Sequence, residues 1–279
     1  DKDLIFKYNL YERSVCMFDK MNEPLVIKNN DFKRCIIFIS YPIIDYREEI
    51  LKILERIAFN RSNKYNTDQK IAVVNINNYC LSYDSKIAFI GNSPFLEFSL
   101  SYPSYECLGE DVLEDNLNFI KEIIYNPYLE DGVFPKNKVE DAITFYKNNV
   151  DRISTDFFSY YDYKNDLLID ENDYLISKVF KNPSLLDDVT PKGLYDTYNK
   201  IISGSPLVYL IGNVDVDKSK ELIKKILLNN KISKVRFKMD YYVYAKCIPD
   251  KVDVITEDSS FSTVGVYCNY KVRNINSVR

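Results

Sequence analysis

Asp45-Tyr-Arg-Glu-Glu-Ile50-Leu-Lys-Ile-Leu-Glu55-Arg-Ile-Ala-Phe59 sets Ile50, Ile53, Leu54, Ile57 and Ala58 at helical spacing. Residues three and four apart share one face of a helix, so this stretch predicts an amphipathic helix over 45–59. The residues before it read differently. Leu4–Leu10, Leu25–Lys28 and Lys33–Ser40 are β-rich runs separated by polar clusters. A helix laid against strands on both sides in sequence predicts an α+β domain.

Further along, a second helix is predicted around 67–77, then a strand pair over 79–89 and 95–100 turned at Gly91-Asn-Ser-Pro94. Val112, Leu113, Leu117, Ile120, Ile123 and Ile124 form an apolar stripe that ends before Asn126-Pro127. Pro135 suits the first turn of the next helix, whose stripe is Val139, Ile143, Tyr146, Val150 and Ile153. Thr190-Pro191 reads as an N-cap with proline at N1, opening a helix through Leu194, Tyr198 and Ile201. Leu207–Ile211 is a buried-strand run, followed by Gly212 and a helix over 217–228 capped by Asp215 or Asp217. Beyond residue 230 the helical pattern stops, and 235–246 and 252–270 read as extended. The expected fold is therefore α+β, a mixed or antiparallel sheet with helices on one face. Residues 1–230 form the first domain, and 231–279 a linker and the start of a second.

Composition excludes several functions. The 279 residues carry no histidine, which removes the Ser-His-Asp triad, the Cys-His dyad and any zinc site that needs imidazole. A formal net charge of −4, with no clustered excess of Lys and Arg, argues against a nucleic-acid partner. Cys16, Cys35, Cys80, Cys107, Cys247 and Cys268 are scattered without a C-x-x-C pair and read as reduced thiols. The longest apolar run, Cys35–Ile44, is too short for a membrane span and contains a proline, so a soluble, cytoplasmic protein is expected.

Lys52-Ile-Leu-Glu55-Arg56-Ile-Ala-Phe59, followed by Lys64-Tyr65, resembles the inverted zinc motif segment of the pitrilysin/insulinase peptidases with both histidines replaced. Asn126-Pro127, Gly132-x-Phe134 and the long helix after Pro135 are similar to the segment leading into the helix with that family's third zinc ligand. By that resemblance the ligand glutamate falls on Asn149 and a second glutamate on Ala142, with a short insertion between Arg56 and Asn149. Leu194–Tyr198 and Leu207–Asp215 resemble the helix and the strand-Gly-x-Val-Asp that close the family's first domain. The resemblance implies one half of a two-domain clamshell.

Its motif positions Lys52, Glu55, Arg56 and Asn149 imply an inactive peptidase-like protein without metal or other cofactor. Its partner would be an active homologous zinc-peptidase subunit, or a second copy of itself. It also implies that an edge strand at Leu81, Ser82, Tyr83 and Asp84 holds an extended peptide. Two other readings compete: a stand-alone extended-peptide-binding module, and a Mg²⁺-dependent phosphatase-like enzyme built on Asp215 and Asp217. The 170–173 acidic run reads as a solvated turn.

Overall fold

The computed structural model describes residues 14–241 apart from 45, 59–60, 79–80, 91–92, 154 and 162–181. Its centre is a five-stranded mixed sheet of β2 (Leu25–Lys28), β3 (Arg34–Pro42), β4 (Ser82–Ile90), β5 (Ser93–Pro103) and β6 (Leu207–Gly212). The spatial order is β2-β6-β3-β5-β4. The pair β2–β6 is parallel and the other neighbours are antiparallel. A separate two-stranded ladder joins β1 (Ser14–Met21) to β7 (Lys234–Tyr241) along their whole length.

Alternation along the strands puts one set of side chains on the helices. Cys35, Ile37, Ile39 and Tyr41 of β3, Leu96, Phe98, Leu100 and Tyr102 of β5, and Val208 and Leu210 of β6 are buried in one cluster. Against them lie α1 (Glu48–Ile57), α4 (Leu113–Tyr125), α6 (Pro191–Ile202) and α7 (Val216–Ile226). Ile53 and Leu54 of α1 and Leu117, Ile120, Ile123 and Ile124 of α4 are fully enclosed there. Other described helices include α2 (Asp68–Asn77), α3 (Tyr105–Leu108) and α5 (Lys136–Ile153), with a 3-10 turn at Pro183–Asp188. The opposite sheet face is covered at one end by β7, where Phe95, Leu207, Val235 and Phe237 form a small second core.

Local chemistry fixes the element ends. Thr190 Oγ1 accepts the Gly193 N–H at 3.1 Å, and Pro191 stands at N1, as the sequence predicts for α6. Asp215 Oδ1 accepts the Lys218 N–H at 2.9 Å, so Asp215 rather than Asp217 caps α7. Tyr198, fully buried, donates its hydroxyl to the Ile124 carbonyl at 2.6 Å and ties α6 to the last turn of α4.

Gly212 ends β6 at φ 153°, where a Cβ would meet Cys35 Sγ at 2.6 Å and Cys35 Cα at 2.8 Å. Backbone of β3 stands in the way, so no side-chain rotation relieves the clash. Gly212→Ala is expected to cost about 2–3 kcal/mol. A urea midpoint lowered with the slope unchanged would record it, and an unaltered midpoint would refute the close approach.

The sequence reading differs from the structure in a few places. The helix expected over 45–59 is helical at 48–57, and the strand expected from 79 begins at Ser82. β1, α3 and the 3-10 turn lack the periodic patterns on which prediction rests. The Leu4–Leu10 strand, the turn at Gly91-Asn92, the 170–173 run and the start of a second domain after residue 241 lie outside the described residues.

Candidate functional site

The middle and end of α1 face α5, and the degenerate motif lies in the seam. Glu48 and Glu49 in the first turn and Arg56 in the last complement the α1 dipole, so the helix tolerates an N-cap without a side-chain bond. Lys52, Glu55 and Arg56 share the side away from the buried Ile53, Leu54 and Ile57.

Glu55 is fully engaged. One carboxylate oxygen, Oε2, takes the Tyr146 hydroxyl at 3.4 Å and lies 3.7 Å from Lys52 Nζ. The other, Oε1, accepts the Ile87 backbone N–H of β4 at 3.3 Å. Its main-chain carbonyl accepts the Ser85 hydroxyl at 3.1 Å. Burial, reinforced by the Glu55 charge and hydrogen bond, pushes the Tyr146 phenol well above its ordinary range, so Tyr146 is a donor at any physiological pH. Arg56 lies with its guanidinium carbon 3.7 Å from the centre of the Phe145 ring. Asn149 stands one turn past Phe145 and Tyr146 on α5, half-buried. The seam therefore brings Lys52, Glu55, Arg56 and the helix of Asn149 together. Phe145 and Tyr146 are the partners that sequence reading missed. Tyr146 was legible only as part of the α5 apolar stripe, and the chemistry of its hydroxyl appears once α1 is alongside.

These residues do not fit a zinc ion. Zinc takes neutral imidazole, thiolate or carboxylate at about 2.0–2.3 Å, whereas Lys52 and Arg56 are cations without a lone pair to give. Glu55 is already spoken for by three donors. No group of three or more acidic, thiol or imidazole side chains able to hold a metal occurs among the described residues, the Asp215 region included.

The second predicted site is β4, which is an edge among the described residues: of these it pairs with β5 alone. In an antiparallel ladder, successive residues turn their backbone groups alternately toward the partner and away from it. Because the Ile87 N–H points out to Glu55, Ser85 and Tyr83 share that outward sense. Of the four predicted positions, Ser82 and Asp84 expose their side chains but direct their backbone to β5. Leu81 is buried at 5%, and Tyr83 packs edge-on to Phe119 with centroids 5.5 Å apart.

No family model matches the chain. It is 27% identical over 153 residues to the "Probable inactive metalloprotease YmfF" of Bacillus subtilis (strain 168), a match covering 53% of this chain and 35% of that protein. The chain thus spans about a third of that relative's length. A conserved protein from Enterococcus faecalis V583 superposes with TM-score 0.62 at 20% identity, over 75% of this chain and 52% of that one. The periplasmic protease PqqL of Escherichia coli gives 0.54 at 13% identity, over 76% of this chain and 23% of its own. Its first half, solved separately, gives 0.53 at 13% identity, over 76% of this chain and 45% of its own. The helices and mixed sheet share the fold of the first half of that protease. No described helix is long and apolar enough to cross a membrane.

Proposed function

We propose that this chain, which resembles the inactive members of the pitrilysin/insulinase family and has their fold, is a non-catalytic peptidase-like subunit that pairs with an active homologous zinc peptidase. The observation that carries this reading is the state of Glu55. In an active site of this type the glutamate must face a metal-bound water as general base. Here it is held by Lys52, Tyr146 and the Ile87 N–H, beside a stacked Arg56. What survives loss of the metal is the backbone edge of β4, because strand addition rests on main-chain groups rather than on side-chain identity. The relative named as an inactive metalloprotease supports the same assignment.

Purification from the native source is expected to recover a homologous peptidase with an intact H-x-x-E-H motif. Metal analysis of the separated chain is expected to find no stoichiometric zinc, and the chain alone to cleave no peptide. Bound zinc at one per chain, or hydrolysis that a chelator stops, would sink the reading. The edge position of β4 also favours a second reading, in which the protein captures extended peptides by itself. That reading predicts heterogeneous peptides, not a paired peptidase, in the purified material. The cytoplasm, where an unbridged Cys35 buried at 1% would stay reduced, is the compartment proposed.

A further inference from the structure

We infer that the surface where the zinc motif would stand is an anion site, and that it takes the carboxylate of an acidic residue in an extended peptide lying along β4. The inference rests on the β4-edge reading and adds to it the chemical class of what binds.

Four observations converge. First, Arg56 is exposed and stacked at 3.7 Å on Phe145. A guanidinium held over a ring keeps N–H donors that the ring does not use, and these can take a carboxylate with two parallel hydrogen bonds. Second, no carboxylate pairs with Arg56 among the described residues, because its neighbour Glu55 is turned to Lys52, Tyr146 and Ile87. Lys52 and Arg56, one turn apart, together outweigh Glu55 by one positive charge. Third, Asn149 lies one turn beyond Phe145 on α5 and makes no side-chain hydrogen bond among the described residues. It is a neutral donor on the same side of the helix. Fourth, the Glu55 carboxylate joins the cationic turn directly to the Ile87 N–H of the strand edge.

That last bond also sets the register. Glu55 occupies the outward N–H of Ile87, so an added strand pairs along Ser82–Ser85 and its next residues run into the seam of α1 and α5. An extended chain advances about 3.3 Å per residue with side chains alternating. One acidic side chain just past the paired segment therefore reaches Arg56, while residues on the other parity face away. A site made for Zn²⁺ in active relatives would accept the opposite sign of charge here.

The test uses the whole chain and blocked octapeptides alternating threonine and valine, with a single glutamate or glutamine scanned along them. At one parity, glutamate should bind about tenfold tighter than glutamine, a difference of about 1.4 kcal/mol, and the advantage should shrink with added salt. In Arg56→Gln the affinity for the glutamate peptide should fall to that of its glutamine counterpart. Arg56→Lys, which keeps the charge but not the fork, should restore only part of it. Separately, glutarate titrated into the protein should move the Arg56 Nε–H resonance.

Equal affinity for both peptides at every position would overturn the anion site and leave the edge reading standing. A glutarate response with no peptide bound at all would overturn the peptide assignment together with the edge reading. An Arg56 resonance indifferent to glutarate would overturn the site itself.

Discussion

The protein is expected to lose about 4 kcal/mol of stability between about pH 10 and 11, a range in which an unstructured chain of the same composition only ionises its tyrosines. Besides Tyr146, three buried phenols are responsible. Tyr41 is raised well above its ordinary value by burial and by the neighbouring Tyr125, whose hydroxyl lies 2.7 Å away. Tyr102 is raised by burial and by the Cys35 thiol and Asp111 nearby. Tyr198 is raised by complete burial, with Tyr125 and Tyr195 adding their charge.

The sign follows from linkage. Each folded-state value lies above the unfolded value of about 10, so the stability these groups contribute is complete below pH 10. It falls as pH rises past that point, because the unfolded chain releases protons that the native one retains. Each group then costs about 1.4 kcal/mol per pH unit, and three together cost about 4 kcal/mol at pH 11. That is a large part of the 5–15 kcal/mol typical of a domain. The chain has 24 tyrosines, but exposed ones titrate alike in both states and drop out of the difference.

Tyrosinate absorbance followed together with circular dichroism should show buried phenols ionising only as the fold is lost. Ionisation of all tyrosines near pH 10 with the fold intact would disprove the burial. Tyr102→Phe offers a control. Among the described residues its hydroxyl has only the weak Cys35 thiol beside it and no partner in good hydrogen-bond geometry, so its removal should cost little at pH 7 and flatten the alkaline transition.

Much of this arrangement was legible from periodicity. The 3.6-residue stripes of α1, α4 and α5 and the proline and threonine that open α6 are local signals, and local signals suffice to form those elements. The order of strands is not local. Nothing in Cys80–Asp84 says that β4 ends the sheet, because that depends on β6 inserting between β2 and β3 from more than a hundred residues away.

The candidate site divides along the same line. Lys52, Glu55 and Arg56 are visible as a motif in one turn, and Asn149 by its resemblance to a ligand position. Their actual neighbours Tyr146, Phe145 and Ile87 become apparent only when α1, α5 and β4 pack. Tyr146 illustrates the difficulty. In the sequence it fills an apolar stripe, while in the fold its half-buried ring packs on the core and its hydroxyl holds Glu55. An amphipathic side chain serves both roles, and the pattern records only the first.

Introducing two imidazoles should convert this seam into a metal site. Lys52→His with Arg56→His places two imidazoles four residues apart on one face of α1, the spacing at which both can reach one ion. The same change removes the cations that repel a metal and the lysine that engages Glu55. At zinc concentrations 100 times the dissociation constant, the double variant should gain about 2.7 kcal/mol of stability, since the ion binds the folded pair far better than the unfolded chain. For a domain of this size that raises Tm by about 5–10 °C, whereas the parent protein should show no zinc-dependent shift.

Adding Asn149→Glu should tighten the site further if Asn149 stands where the third ligand belongs. If Tyr146→Glu tightens it and Asn149→Glu does not, the α5 register is displaced by one turn, toward the residue that touches Glu55 in the present fold. A parent protein that zinc stabilises as strongly as the double variant would mean that the ion binds elsewhere. The fixed charges of Lys52 and Arg56 would then not be what keeps zinc out of this seam.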